Sequence, residues 1–266
     1  MRTVAADGVE VRAIDEGMGP CILIVHGGLA DPSAWAKVSA LLTPRFRVVR
    51  LHRRRYRLDL ALDACSLADE VRDVRAMAEA LDRQFVLVGH SSGAVVALEA
   101  LAAGLPGAVG AVLYEPPALL RPDEFGEAAA SIRAELDAGR PRRALTAFLR
   151  DFVQLPGAAS WLAGHALPSL PGVRDLIKGQ VGDAEALNAL GPRLDAYAGI
   201  TRPLLFLTGD KSPRHLQDRA RRLAEVLPKA RVVTLLGQAH GANDVAPDLV
   251  AAEIGRFVAE VLPLVI

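Results

Sequence analysis

The sequence predicts an α/β fold: a mostly parallel central sheet with helices on both faces and a helical cap inserted into it. Three observations carry this. Short apolar runs alternate with helical patterns along most of the chain, the order that builds parallel sheets. Some of those runs are apolar throughout, as strands covered on both faces are. One stretch, from about Ala118 to Ile200, shows helical patterns and no strand signal.

The elements follow in order. VEVRAI, Val9 to Ile14, puts Val9, Val11 and Ala13 on one side and Glu10 and Arg12 on the other, a half-buried strand. CILIVHGG, Cys21 to Gly28, is an apolar run that stops at glycines. RVVRLHR, Arg47 to Arg53, is a shorter strand. From Ser66 to Asp82, Leu67, Val71, Val74, Met77 and Leu81 recur at helical spacing, and Ser66 is placed to cap that helix. Phe85 to Val88 is the next strand, and Gly93 to Leu105 is a helix halted by Pro106. AVGAVLYEPP, Ala108 to Pro117, is a strand ending in Glu115 and two prolines. Pro203 to Asp210 and Ala230 to Gly237 are two more strands, with a helix from Ser212 to Leu227 between them. Pro247 to Leu262 is the last helix, with its proline suited to the first turn.

Residues 1–117 and 201–266 therefore form the core, and 118–200 the cap. Within the cap, Leu145, Phe148, Leu149 and Phe152 share one helical face. Phe148, Phe152 and Trp161 are candidates to line a substrate pocket, although cap interior is the commoner fate of such aromatics.

Composition excludes several classes. Hydrophobic residues make up 51% of the 266, enough for a sizeable core. Lys plus Arg equals Asp plus Glu, at 31 each, so no global field attracts nucleic acid or an anionic membrane. No stretch of about 18 uninterrupted apolar residues is present, so no spanning helix is expected. Charges from Arg2 to Glu16 break up any signal core. Cys21 and Cys65 make no disulfide framework and suit a reduced compartment. The expectation is a soluble cytoplasmic protein. No Cys/His cluster has zinc spacing, and no G-x-G-x-x-G follows a strand, so no metal or cofactor is expected.

Ligands of open α/β sheets bind at the carboxyl ends of the strands. Those ends hold His26-Gly27-Gly28, His52 with arginines, Gly89 to Gly93, Glu115, Asp210 and His240. In Gly89-His90-Ser91-Ser92-Gly93 the serine lies between strand and helix, flanked two residues away by glycines. A nucleophile on so sharp a turn needs small neighbours. The helix N-terminus beside it favours a developing anion. His240, after the last strand, can serve as base and then acid. His90 is adjacent to Ser91 and should point elsewhere. His165 and His215 are expected to be solvated.

On these residues the chain resembles the α/β-hydrolase-fold family over nearly its whole length, with Ser91 in the nucleophile elbow. His26 to Trp35 (HGGLADPSAW) is similar to that family's HG motif with its downstream tryptophan. The resemblance implies an oxyanion hole from the backbone N–H of Gly28 or Leu29 and that of Ser92. A serine at the elbow, where the haloalkane dehalogenases and epoxide hydrolases of the family carry aspartate, argues against those chemistries.

Two departures from the family pattern matter. The acid usually follows the strand matching Pro203 to Thr208, but Ser212 holds that position and Asp210 is two residues early. Other members carry the acid where Glu115 stands. Glu115 and Asp210 are both candidates, with Asp244 behind them. The second departure is the loop Arg53–Arg57. Where many members have D-x-R-G-x-G-x-S, His52 replaces the aspartate, and arginines at 55 and 57 replace the glycines. Seven arginines and no acid lie between Arg45 and Arg57. A solvated loop is the plainer expectation, and a site for a substrate carboxylate or phosphate the sharper one.

The function expected is a serine hydrolase that cleaves a small or medium carboxylic ester, lactone or thioester through an acyl-enzyme. Carbon–carbon hydrolysis, lyase or acyl-transfer chemistry at the same site is an alternative, as is a non-catalytic ligand receptor. The expected partner is a small acyl substrate, with neither nucleic acid nor membrane.

Overall fold

The computed structural model describes residues 2–4, 7–60, 65–170 and 172–262. Its strands are β1 (Arg2–Val4), β2 (Glu10–Glu16), β3 (Cys21–Val25), β4 (Arg47–His52), β5 (Phe85–His90), β6 (Ala108–Tyr114), β7 (Leu204–Gly209) and β8 (Ala230–Leu235). They form one sheet in the order β1-β2-β4-β3-β5-β6-β7-β8. β2 pairs antiparallel with both β1 and β4, and the remaining pairings, from β4–β3 to β7–β8, are parallel.

Alternation along each central strand explains why the runs look wholly apolar. Leu23, Phe85 and Leu87 face one layer, while Ile22, Ile24, Val86 and Val88 face the other, and all are buried. The first layer is covered by α2 (Leu67–Leu81) and α3 (Ser92–Ala102). The second is covered by α1 (Ala36–Leu42) and by the last helix, Pro247–Val261. Ser66 caps α2 as expected: its hydroxyl accepts from Asp69 N–H, and the Asp69 carboxylate accepts from Ser66 N–H, a reciprocal capping box.

Among the described residues, the segment between β6 and β7 is helical and has no strand. It contains α4 (Gly126–Asp137), α5 (Pro141–Ala147), α6 (Gly157–Ala166), α7 (Val173–Leu190) and α8 (Leu194–Ala198). After α5 the chain widens into a π-helical turn from Phe148 to Phe152. Leu145, Leu149 and Phe152 remain buried on one face. The last helices are α9 (Arg214–Val226), α10 (Ala242–Val245) and α11 (Pro247–Val261). No helix among the described residues is long and apolar enough to cross a membrane.

The differences from the sequence expectation include two short helices not expected, α1 between β3 and β4 and α10 after β8, and the edges of the sheet and its strands. β1 is three residues long, too short for a periodic signal. β5 runs two residues further than its apolar stretch because Gly89 and His90 pair with Leu113 and Tyr114. The strand thus delivers the chain directly to Ser91.

Candidate active site

Ser91 stands between β5 and α3 with φ 53° and ψ −129°. That is a strained conformation for a residue with a side chain, of the kind tolerated at functional sites. The flanking glycines are required by packing. A Cβ on Gly89 would lie 2.6 Å from Ala94 Cα, and one on Gly93 would collide with His26 O. The end of β3 therefore presses against the first turn of α3. Gly27 lies close to the elbow as well, its Cβ position 3.1 Å from Ser91 Cβ.

His240, between β8 and α10, turns its Nδ1 to Glu115, 2.6 Å from Oε2. The other carboxylate oxygen accepts the Gly209 N–H at 2.7 Å. Glu115 is completely buried, so both oxygens need such partners. Its φ of 46° bends the chain sharply after β6. Asp210 is exposed, and its own N–H donates to Leu235 O at 3.3 Å. Of the two carboxylates expected as the acid, Glu115 sits on the histidine and Asp210 does not. Asp244 is also away from it, paired with Lys37 at 2.8 Å. Ser212, at the position where the family's acid is commonly found, is buried.

His90 turns its ring between Tyr114 and His240. Its ring stacks on Tyr114, with centroids 4.9 Å apart, and tilts against His240 at 4.8 Å. Its Nε2 lies 3.0 Å from His240 O. Burial, then the neighbouring His240, holds its pKa well below the ordinary value, so Nε2 is a neutral N–H donor there. The Tyr114 hydroxyl donates to Ala239 O and accepts the Ala242 N–H. These contacts fix the backbone on both sides of His240, and nothing in the sequence signalled them.

The backbone segments expected to supply oxyanion donors lie beside the elbow. Leu29 adopts φ 50°. Ser92 opens α3, where the first amides have no acceptor within the helix. His26 lies beneath: its Nδ1 is 2.8 Å from Gly27 O, and its Nε2 accepts the Arg53 N–H at 3.2 Å. Burial, then Arg53, pulls its pKa down to about 3.

The arginine loop corrects the expectation of a solvated loop. Arg53, Arg54 and Arg57 are buried, and their donors are taken up inside the protein. Arg53 meets Glu70 at 2.9 Å and Asp183 at 2.8 Å. Arg54 is held by Asp73 and Asp7, and Arg57 by Asp59 and Glu10 O. Arg55 Nε lies 2.9 Å from Asp183. Apart from Asp59, two residues beyond Arg57, these acids come from other segments, so the loop is buried rather than solvated; Arg55 Nη2 alone of its buried guanidinium nitrogens has no hydrogen-bond partner among the described residues.

Two further expectations change. Trp161 is 58% exposed and stacks on His165 at 4.6 Å. Phe148 and Phe152 take the commoner of the two expected places: they stack at 5.5 Å, and Phe152 on Phe125 at 4.1 Å, inside the insertion. His215 is half-buried rather than solvated, its Nδ1 has no partner, and burial lowers its pKa to about 4.

Comparison with known proteins agrees with this architecture. The model of the Alpha/beta hydrolase family matches residues 22–253. A 2-(acetamidomethylene)succinate hydrolase of Mesorhizobium japonicum is 24% identical over 279 residues, covering 97% of this chain and 94% of that protein. An alpha/beta hydrolase of Sphaerobacter thermophilus superposes with a TM-score of 0.85 at 28% identity, over 97% of this chain and 99% of that one. An enol-lactonase of Burkholderia xenovorans shares the fold, with a TM-score of 0.73 at 20% identity, over 97% and 100% of the two chains.

Proposed function

Because this chain belongs to the α/β hydrolase family, we propose that it is a serine hydrolase acting on a carboxylic ester, lactone or thioester through an acyl-enzyme on Ser91. The observation that carries this reading is the buried Glu115 held on Nδ1 of His240, with a strained serine at the neighbouring strand end.

The chemistry follows from that arrangement. Glu115 accepts the Nδ1 proton, which leaves Nε2 of His240 free to act as base. His240 takes the proton of Ser91 as Oγ attacks the acyl carbon. The tetrahedral oxyanion is held by the N–H of Ser92 and that of Gly28 or Leu29, donors set before the reaction begins. His240 returns the proton to the departing alcohol or thiol. Water, activated by the same imidazole, then releases the acid and restores Ser91. The buried carboxylate stabilises the imidazolium formed in each half-reaction.

The insertion from α4 to α8 acts as a cap that shapes substrate access. A cleft of about 450 Å³ opens beside Leu29 and Ala30, between the loop after β3 and the start of α7. Leu58, Val173 and Leu176 give it apolar walls, and Asp31, His52 and Asp59 add polar groups; Ser91 and His240 do not line it. The enol-lactonase and succinate-derivative hydrolase among its relatives support hydrolysis of this kind over a receptor role.

A fluorophosphonate probe tests the reading. It should label Ser91, and Ser91→Ala should abolish both labelling and turnover of p-nitrophenyl esters. Folded protein that neither labels nor turns over aryl esters and thioesters would remove it.

A further inference from the structure

Helix α7 of the insertion touches both walls of the proposed oxyanion hole with side chains three residues apart. Asp183 Oδ2 accepts from the Ser92 hydroxyl at 2.5 Å and from the Tyr56 hydroxyl at 2.6 Å. Gln180 Oε1 occupies the space where a Cβ on Gly28 would lie, and the Tyr56 hydroxyl is 2.9 Å from that same position. Residues at i and i+3 share one helix face, so a single stripe of α7 meets the residue after Ser91 and the loop after β3.

Arg53 ties the two walls together. Its Nη1 donates to Ser92 Oγ at 2.8 Å, to Asp183 at 3.1 Å and to His26 O at 3.3 Å. Glu70 and Asp183 balance Arg53 and Arg55, and all four side chains are no more than 6% exposed. Burial pushes the Asp183 carboxyl up, but Arg53 and Arg55 outweigh it and hold it below the usual range.

The helix can approach so closely because two of its residues lack side chains. A Cβ on Gly179 would lie 2.9 Å from Arg55 O, and one on Gly182 would lie 2.7 Å from Arg55 Nη1. Glycine inside a helix costs about 1 kcal/mol against alanine, and here it permits the contact. An anchor for the insertion alone would need only the Arg53–Asp183 pair. The additional contacts fall on Ser92 and Gly28.

We propose that Gln180 and Asp183 are positioning residues that hold the Ser92 amide and the Gly28 loop in the geometry an oxyanion requires. The inference rests on the Ser91 reading above. The insertion thereby completes the catalytic site of the core and does more than cover it.

The test uses Ser92→Ala and Gln180→Met in the full chain. Ser92→Ala keeps the backbone amide and every charge but cuts the links of the Ser92 hydroxyl to Asp183 and to Arg53. Gln180→Met keeps side-chain length and touches no charge, so it serves if the first variant does not fold. Each should lower kcat by about 10-fold to 100-fold with KM little changed, because small displacements of donors have effects of that order. The rate of Ser91 labelling by a fluorophosphonate should fall in parallel. Folded variants with parental kcat and labelling rate, whatever their melting temperature, would overturn the proposal alone. Absence of labelling in the parent protein would remove the Ser91 reading and this proposal with it.

Discussion

Glu115 and His240 stand 125 residues apart in the chain and 2.6 Å apart in the protein. β6 brings the carboxylate and the turn after β8 brings the imidazole. The Gly209 N–H at the end of β7, the strand between them, satisfies the second carboxylate oxygen. Three strand ends therefore meet on one buried charge.

That contact separates the two acids. Glu115→Gln should lower kcat by about 100-fold to 10,000-fold, since an amide can favour the wrong imidazole tautomer. Asp210→Asn should leave kcat within about two-fold, as surface changes away from reacting groups do. Steady-state kinetics on one p-nitrophenyl ester decides it. The reverse ranking would return the acid role to Asp210.

The backbone of Ser91 makes a second prediction. Ser91→Gly and Ser91→Ala both lose the hydroxyl and should both be inactive. Only glycine adopts φ 53°, ψ −129° without strain. Ser91→Gly should therefore be the more stable of the two by about 1 kcal/mol, after the entropy of the unfolded glycine is offset. Equal urea midpoints would show that the elbow stores no such strain.

The buried arginine hub should behave unlike an exposed pair. Arg53→Met leaves Glu70 and Asp183 with one fewer cation in the interior. Removing one partner of a buried pair costs about 3–5 kcal/mol. Arg231→Met breaks the exposed contact with Glu260 and should leave the denaturation midpoint unchanged. Similar shifts in the two variants would contradict the burial argument.

Acid should weaken the fold in a defined window. His26, His90 and His215 have folded pKa values below the ordinary 6.5, His26 near 3 and His215 near 4, chiefly through burial. The unfolded chain takes up their protons first as pH falls. Stability is therefore full above about pH 6.5 and declines below it, by about 1.4 kcal/mol per pH unit for each such imidazole. Asp7 and Asp59, held near pKa 2 by hydrogen bonds from Arg54 and Arg57 respectively, add a loss of the same sign below about pH 4. Urea midpoints between pH 7.5 and 5 should show the first loss, and His26→Asn should flatten it.

By itself the sequence determined the order of the strands and core helices apart from β1, α1 and α10, the helical segment between β6 and β7, and the strand ends that carry Ser91 and His240. Those are local properties: apolar runs, helical spacing, and glycines on either side of a serine are visible within a dozen residues. It narrowed the carboxylate to Glu115 or Asp210 and could go no further, because both follow strands. Only the tertiary structure placed Glu115 on the imidazole and left Asp210 exposed. The arginine loop shows the same limit more strongly. Only Asp59 lies beside it in the chain; the other acids come from residues 7, 70, 73 and 183, so the sequence around Arg53 does not reveal that the loop is buried. The close approach of α7 to Arg55 at Gly179 and Gly182 likewise emerges only in the folded protein. A buried charge is acceptable only where folding delivers its partner, and which distant residue that is depends on how the layers stack.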